Sequence, residues 1–221
     1  MKLSNQHKGI GMTSQRTRDR LIMQLQDLGI KDERVLSVMR KIPRHLFVAE
    51  ALASRAYENT ALPIGLGQTI SQPYIVARMT ELLIEDGLPE NVLEVGTGSG
   101  YQSAVLASLI PRVFSVERIR PLQERAKKVL NDIGFKNISF KHSDGSWGWN
   151  ACGPYDAILA AAAPVEIPLK LLEQLNIGAK LVIPVGEEGK QVLQRITRTV
   201  SAYEVETIEP VSFVPFLKGR L

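Results

Sequence analysis

The fold is decided by residues 92–100, which read Val-Leu-Glu-Val-Gly-Thr-Gly-Ser-Gly. The apolar run Val92–Val95 has β-branched ends and predicts a short strand buried in a parallel sheet. Glycines then occupy alternate positions up to Gly100, and apolar side chains return at helical spacing within 104–109. Glycine is required where a ligand approaches the backbone so closely that a Cβ would collide with it. The stretch therefore predicts the first half of a βαβ nucleotide-binding unit.

The residues after the glycine turn narrow the choice of nucleotide. A phosphate-binding P-loop ends in Gly-Lys-Ser/Thr, whereas Gly100 is followed by Tyr101 and Gln102. The dinucleotide fingerprint needs a small residue at the position of Tyr101, because helix and strand pack closely there. A G-x-G-x-G turn among acidic residues suits S-adenosylmethionine, which has an amino-acid end, a ribose and an adenine but no phosphate. The sequence thus favours S-adenosylmethionine as the cofactor.

Three acidic residues stand near predicted strand ends. Glu94 precedes the last residue of the first strand, where its carboxylate would lie near a cationic amino group. Glu117 follows the second strand, about 20 residues after the turn, where an acid can accept hydrogen bonds from both ribose hydroxyls. Asp144 follows the third strand, within reach of the adenine edge. The alternative interpretation is that Glu94 and Glu117 are solvated charges at strand ends.

Residues 61–73, Ala-Leu-Pro-Ile-Gly-Leu-Gly-Gln-Thr-Ile-Ser-Gln-Pro, form the second informative stretch. Its prolines and glycines predict an irregular loop, and an amphipathic helix follows with Pro73 in its first turn. Ser71 therefore stands just outside a helix N-terminus, where backbone donors and the helix dipole favour an anion. The other interpretation is that Ser71 only caps the helix.

The length, composition and net charge of the chain limit the kinds of protein that it can be. The chain of 221 residues can bury one sizeable α/β core, and 44% hydrophobic with 23% charged residues is ordinary for a globular enzyme. The net charge of +4 comes from residues 1–20, and the remainder of the chain is balanced. This basic arm could contact nucleic acid or simply be a solvated terminus. Because no basic stripe runs through the rest, we expect no nucleic-acid partner.

Cysteine and histidine usage excludes several kinds of site. Cys152 is the only cysteine, which rules out an internal disulfide and a cysteine-based zinc site and favours the reduced cytoplasm. The three histidines have no metal-ligand spacing, so we expect no metal. The first 20 residues contain no apolar export segment and no run is long enough to span a bilayer, so no membrane partner is expected. Met12 is a possible alternative start.

The whole pattern predicts a doubly wound, mostly parallel, Rossmann-like α/β sheet in a single domain over 1–221. Within this domain we expect a disordered arm at 1–13, N-terminal helices with the active-site loop at 14–90, a cofactor-binding core at 91–186 and a C-terminal β extension at 187–221. Periodicity predicts helices at 17–28, 32–39 and 169–175, the last ended by Gly178, and strands at 92–95, 113–116, 137–140, 155–160, 181–185, 192–200 and 203–208.

Taken together, these segments resemble the protein-L-isoaspartate O-methyltransferase family of protein-repair enzymes. The element Gly-Gln-Thr-Ile-Ser-Gln-Pro at 67–73 is specific to this family, whereas many methyltransferases share the glycine turn. The chain departs from the family pattern in two places. Tyr74 and Val76 stand where some members have histidines, and Ala161 stands where threonine is common. Further matching segments lie at 92–102, 116–119, 144–145, 155–158, 162–164, 182–186 and 213–215.

The resemblance implies methyl transfer from S-adenosylmethionine to the free α-carboxylate of L-isoaspartyl residues in damaged proteins. The product is S-adenosylhomocysteine, and repair then proceeds through a methyl ester and a succinimide. The catalytic residue implied is Ser71. The cofactor contacts expected, with the acids argued above, are Gln68, Thr69, Ile70, Ser71, Glu94, Gly96, Gly98, Glu117, Arg118, Asp144 and Gly145. The substrate contacts expected are Ser71, Ala162, Pro184 and Val214.

The residues agree with this chemistry. An isoaspartyl α-carboxylate is already ionised at neutral pH, so no general base is needed. We expect Ser71 to hydrogen-bond one carboxylate oxygen and aim the other. The alanines at 160–163 either exclude water from the site or serve only close packing, which the alanines alone favour. Three other classes stay open: another methyltransferase of this fold, a binding module without catalysis and an NAD oxidoreductase. The nucleic-acid methylating motif Asp/Asn-Pro-Pro-aromatic is absent after the fourth predicted strand, and Tyr101 disfavours the oxidoreductase.

Overall fold

The computed structural model describes residues 11–221. Most of the predicted N-terminal arm lies outside this range, and Gly11–Thr13 form a short 3-10 turn. The helices are α1 (Gln15–Asp27), α2 (Glu33–Lys41), α3 (Pro73–Ile84), α4 (Tyr101–Leu109), α5 (Arg120–Asp132) and α6 (Leu169–Glu173). The strands are β1 (Leu62–Gly65), β2 (Gln68–Ile70), β3 (Asn91–Val95), β4 (Arg112–Glu117), β5 (Ile138–His142), β6 (Tyr155–Ala160), β7 (Leu175–Val185), β8 (Val192–Arg198) and β9 (Tyr203–Pro210).

One seven-stranded sheet organises the molecule, in the order β5-β4-β3-β6-β7-β8-β9. Strands β5, β4, β3, β6 and β7 are parallel neighbours, and β8 and β9 add antiparallel strands at one edge. The strand order reverses between β3 and β6, because the chain leaves β3 toward β4 on one side and returns to β6 on the other. Ligands of open α/β sheets bind beyond the strand carboxyl ends at such a point. The predicted fold class is confirmed.

The central strands are buried on both faces, as the run Val92–Val95 predicts. Val92 belongs to the larger core, which also contains the apolar faces of α1 to α5. Leu93 and Val95 point to the other face and pack in a second core with Leu171 and Leu172 of α6. Alternation along one strand thus serves two hydrophobic layers, and the sheet lies between them.

The prediction of an irregular loop over 61–73 was wrong. Strands β1 and β2 pair as an antiparallel hairpin separate from the main sheet. The connecting residues Leu66 and Gly67 have φ of 55° and 69°, the positive values that a tight two-residue hairpin turn requires. Pro63 is tolerated because it lies on a two-stranded ribbon with its side chain exposed. The glycines and proline therefore form the hairpin turn and edge rather than interrupting regular structure.

The prediction that Gly178 ends a helix was also wrong. Helix α6 stops at Glu173, and β7 already begins at Leu175. Gly178, with φ of +83°, lies inside β7 where the pairing with β6 shifts register between Tyr155 and Ala157. The glycine supplies a bulge, which bends the strand without ending it. Within the described part of the chain, no helix is long and apolar enough to cross a membrane.

Candidate active site

A cleft of about 820 Å³, including the part open to solvent, lies beyond the carboxyl ends of β3, β4 and β6. The structure brings most of the predicted site residues to this cleft: Gln68, Thr69, Ile70, Ser71, Gly96, Gly98, Glu117, Arg118, Gly145, Ala162 and Val214 line it. Three predicted residues, Glu94, Asp144 and Pro184, do not line it.

The glycine turn is held open by its backbone conformation and by Glu117. Gly96, Gly98 and Gly100 have φ of +99°, +50° and +87°, a region that side-chain-bearing residues rarely adopt. The Gly98 N–H donates to Glu117 Oε2 at 2.8 Å, which ties the turn to the end of β4. A Cβ at Gly100 would lie 3.1 Å from the Ala126 Cβ of α5. The third glycine thus permits close packing of α5 beneath the turn.

Glu117 combines a structural role with capacity for a ligand. Its Oε1 accepts the Ile119 N–H at 2.9 Å, and its side chain is only slightly exposed, at the wall of the cleft. Each carboxylate oxygen has two lone pairs, so one backbone bond on each oxygen leaves an acceptor site on both. This arrangement fits a pair of hydroxyl groups, as the sequence predicts for a ribose.

Glu94 is not at the cleft wall, because its side chain is fully buried beneath the turn. Its Oε2 accepts hydrogen bonds from the hydroxyls of Ser103 and Ser115, the latter at 2.5 Å. The Ser115 hydroxyl also lies 2.6 Å from Thr97 Oγ1, so the network reaches the turn itself. Glu94 Oε1 has no hydrogen-bond partner within residues 11–221, and burial raises the pKa of Glu94 to about 7. Glu94 therefore does not contact the cleft directly, although the sequence analysis predicted that it would, and it is not a solvated charge either.

Asp144 also does not line the cleft, where the sequence analysis predicted that it would reach the adenine. Its Oδ1 accepts the Ser146 N–H at 2.8 Å, and its Oδ2 accepts the Gly219 N–H at 2.6 Å. Although burial opposes ionisation, these hydrogen bonds hold the pKa of Asp144 below its usual value. Gly145, next in the chain, does line the cleft, and a Cβ there would lie 2.5 Å from Val95 Cγ1. Asp144 therefore ties the C-terminal segment to the end of β5, and Gly145 allows Val95 and Phe216 to pack against the backbone there.

Ser71 lies between the hairpin and α3, and it lines the cleft together with the glycine turn. Gln72 occupies the N-cap position of α3 without a capping side-chain bond, so the interpretation of Ser71 as a helix cap does not hold. The first free N–H of the helix, that of Tyr74, already donates to Asn59 Oδ1 at 2.9 Å. The Tyr74 N–H is therefore already occupied and is not free to bind an anion as the sequence analysis expected of this helix N-terminus.

The C-terminal segment 211–221 forms a wall of the cleft that sequence reasoning found only at Val214. Pro215, Phe216 and Leu217 line the cleft as well. Backbone bonds at Ala163 hold this segment: its N–H donates to the Val214 carbonyl, and its carbonyl accepts the Phe216 N–H at 2.9 Å. Pro184, by contrast, is buried in β7, where it pairs with Leu193 of β8. It does not line the cleft, where its substrate contact was predicted.

The donor set of the cleft suits a nucleoside without phosphate. Arg118 is the single basic side chain among the lining residues in the described range, and its Nε already donates to the Gly219 carbonyl at 3.3 Å. Among these same residues, no three histidine, cysteine or acidic side chains gather as a metal site. A doubly wound sheet, a glycine turn and an acid at the end of the adjacent strand, with no phosphate cradle, define the class of S-adenosylmethionine-dependent methyltransferases.

Comparison with known proteins specifies the family within this class. A family model described as Protein-L-isoaspartate(D-aspartate) O-methyltransferase (PCMT) matches residues 16–221. The protein-L-isoaspartate O-methyltransferase of Halorhodospira halophila is 61% identical over 213 residues, covering 96% of this chain and 97% of its own. That of Alcanivorax borkumensis is 57% identical over 216 residues, with 98% of each chain covered. The chain belongs to the protein-L-isoaspartate O-methyltransferase family, and the resemblance drawn from its motifs is confirmed.

Solved structures agree with this placement. A protein-L-isoaspartate O-methyltransferase superposes with a TM-score of 0.82 at 26% identity, over 90% of this chain and 65% of that one. A putative protein-L-isoaspartate O-methyltransferase from Plasmodium falciparum, crystallised with S-adenosyl-L-homocysteine, superposes with a TM-score of 0.79 at 25% identity. This second match covers 91% of the present chain and 99% of the other.

Proposed function

We propose that the protein transfers a methyl group from S-adenosylmethionine to the α-carboxylate of L-isoaspartyl residues in damaged proteins and peptides. The observation that carries this proposal is the meeting of Ser71 with the glycine turn and Glu117 in one cleft. The family membership supplies the substrate class, and the cleft brings the Ser71 hydroxyl together with the carboxylate of Glu117. The ester formed starts repair of the damaged residue through a succinimide.

The glycine-turn side of the cleft holds the cofactor. S-adenosylmethionine, when bound, supplies an electrophilic methyl group on a positively charged sulfur. Glu117 offers an acceptor site on each carboxylate oxygen for the ribose hydroxyls, while the Gly98 N–H keeps that carboxylate in place. Gly145 lines the cleft and packs closely against Val95 and Phe216, so a side chain at this position would displace them. These residues bind and orient, and none of them needs to gain or lose a proton.

The Ser71 side of the cleft holds the substrate. The carboxylate of an isoaspartyl residue is ionised at neutral pH and is itself the nucleophile, so the chain needs no general base. The Ser71 hydroxyl donates a hydrogen bond to one carboxylate oxygen, which fixes the direction of the other. Ala161 and Ala162 also line the cleft, and their apolar side chains exclude water from the reacting atoms. A dry site favours a step in which opposite charges are neutralised.

The direct test is methyl transfer from radiolabelled S-adenosylmethionine to paired peptides that differ only in aspartate or isoaspartate. We expect label on the isoaspartyl peptide alone, as a base-labile methyl ester. Label on the aspartyl peptide, or on neither peptide while S-adenosylhomocysteine binds, contradicts the proposal. The second outcome would favour a binding module without catalysis.

The proposed surroundings follow from composition and substrate. Damaged proteins are the partners, and the balanced charge of the chain after residue 20 gives no basic surface for nucleic acid. Cys152 is a free, half-buried cysteine, which suits the reduced cytoplasm. Transfer of label to RNA or DNA under the same conditions would contradict this assignment.

A further inference from the structure

Arg44 is a fully buried cation in the wall behind the cleft. Its Nε donates to the Ala56 carbonyl at 2.9 Å, and its Nη2 donates to the Ser71 carbonyl at 2.8 Å. The guanidinium lies over the ring of Tyr101, 4.8 Å from its centroid. Ser71 and Tyr101 both line the cleft, so Arg44 holds two of its walls from behind.

This buried charge has no countercharge within residues 11–221. No carboxylate of the described range pairs with Arg44, and its Nη1 has no hydrogen-bond partner there. Burial lowers the pKa of Arg44 to about 10, which still leaves the guanidinium charged at neutral pH. An unpaired buried charge is unfavourable for folding. Such a charge next to a site for an anion calls for a functional explanation.

We propose that Arg44 is a positioning residue for methyl transfer, which anchors the backbone of Ser71 and gives that end of the cleft a positive charge that attracts the substrate carboxylate. This inference rests on the proposed function. The planar guanidinium suits the task because it can bond two carbonyls and stack on a ring at once. A lysine in its place would keep the charge but could not reproduce this fork.

Two substitutions of Arg44 separate the effect of its hydrogen bond to the Ser71 backbone from the effect of its positive charge. In Arg44→Met both are lost, and we expect kcat/KM for an isoaspartyl peptide to fall about 30-fold, with a raised KM and a lowered kcat. In Arg44→Lys the charge remains, and we expect KM within about threefold of wild type but kcat lowered about tenfold. Binding of S-adenosylhomocysteine, followed by calorimetry, stays within about threefold in both variants, since Arg44 does not contact the glycine turn.

A matched control comes from the same buried cluster. The Tyr57 hydroxyl bonds His45 Nδ1 at 2.8 Å and not Ser71, so Tyr57→Phe removes a buried hydrogen bond without touching the cleft. We expect this variant to keep both kinetic constants within about twofold of wild type while its melting temperature falls.

A double-mutant cycle with Ser71→Ala decides whether Arg44 acts through the serine. If it does, adding Arg44→Met to Ser71→Ala lowers kcat by no more than about twofold further. The inference is overturned if the falls in kcat of the two single variants multiply in the double variant, or if the Arg44 variants have wild-type kcat and KM. If Arg44→Met does not fold, the kinetic constants of Arg44→Lys alone decide. A wild-type protein that labels no isoaspartyl peptide overturns the proposed function instead, so the two failures are distinct.

Discussion

The glycine-turn side of the cleft is part of the main sheet, whereas the Ser71 side is built from segments outside it. On the first side, the Gly96 N–H donates to the Val116 carbonyl at 2.8 Å and the Gly98 N–H donates to Glu117, so adjacent parallel strands fix the turn. On the second side, Ser71 follows a separate two-stranded hairpin and is bonded from behind by Arg44. On the proposed function, this difference predicts that the sheet side binds the cofactor and the Ser71 hydroxyl aims the substrate.

This division predicts how substitutions divide between affinity and turnover. A change on the sheet side weakens binding of the cofactor and leaves turnover at saturation nearly intact. Loss of the Ser71 hydroxyl leaves cofactor affinity nearly intact and lowers turnover. The division is contradicted wherever a substitution on one side changes the quantity assigned to the other side, cofactor affinity or turnover.

The largest effect is expected for Ser71→Ala. Loss of the hydroxyl leaves the carboxylate bound without a fixed direction, so kcat should fall about 100-fold, as for removal of one well-placed donor. The dissociation constant of S-adenosylhomocysteine should change less than threefold, about 0.6 kcal/mol, measured by calorimetry. Ser201→Ala, at an exposed position, is the control. An unchanged rate with an isoaspartyl peptide would refute the role of Ser71.

The opposite pattern is expected for Glu117→Gln. An amide places an N–H₂ group against either the Gly98 or the Ile119 N–H, so one of these hydrogen bonds is lost together with acceptor sites for the ribose. Affinity for S-adenosylhomocysteine should fall about 30-fold, while kcat at saturating S-adenosylmethionine stays within about threefold. A lowered kcat with unchanged affinity would contradict the division between the two sides.

The sequence placed the glycine turn and Glu117 at the cleft because their signals are local. The strand, the glycines and Glu117 follow one another at fixed spacing, and this spacing carries over directly into the parallel sheet. On the Ser71 side, Arg44 and Asn59 reach the site through tertiary packing, which cannot be predicted from the periodicity of the sequence. The hairpin at 62–70 was missed because its turn residues also occur in irregular loops. Glu94 was misplaced because the sequence does not tell on which face of β3 a side chain lies.

A smaller effect is expected at Asp144, which ties the C-terminal segment to the end of β5. In Asp144→Asn one of the acceptors for the Ser146 and Gly219 N–H groups becomes a donor, which loosens the C-terminal wall of the cleft. Affinity for S-adenosylhomocysteine should fall about fivefold and the peptide KM should rise by a similar factor. Limited proteolysis should cut the C-terminal segment faster in the variant. If affinity falls about 100-fold instead, direct cofactor contact by Asp144 is the better explanation.

The smallest effect concerns Glu94, beneath the turn. Because burial raises its pKa from 4.5 to about 7, the folded protein binds this proton more tightly than the unfolded chain does. The stability contributed by this group is therefore lost as pH rises between those two values, and about 1 kcal/mol of it is lost between pH 6 and pH 8. Glu94→Gln carries no titrating proton, so urea unfolding of both proteins at these pH values should show a difference that shrinks or changes sign toward pH 8. The same pH dependence in both proteins would mean that Glu94 is ionised in the folded state. In that case the carboxylate, rather than a neutral acid, would support the turn from below.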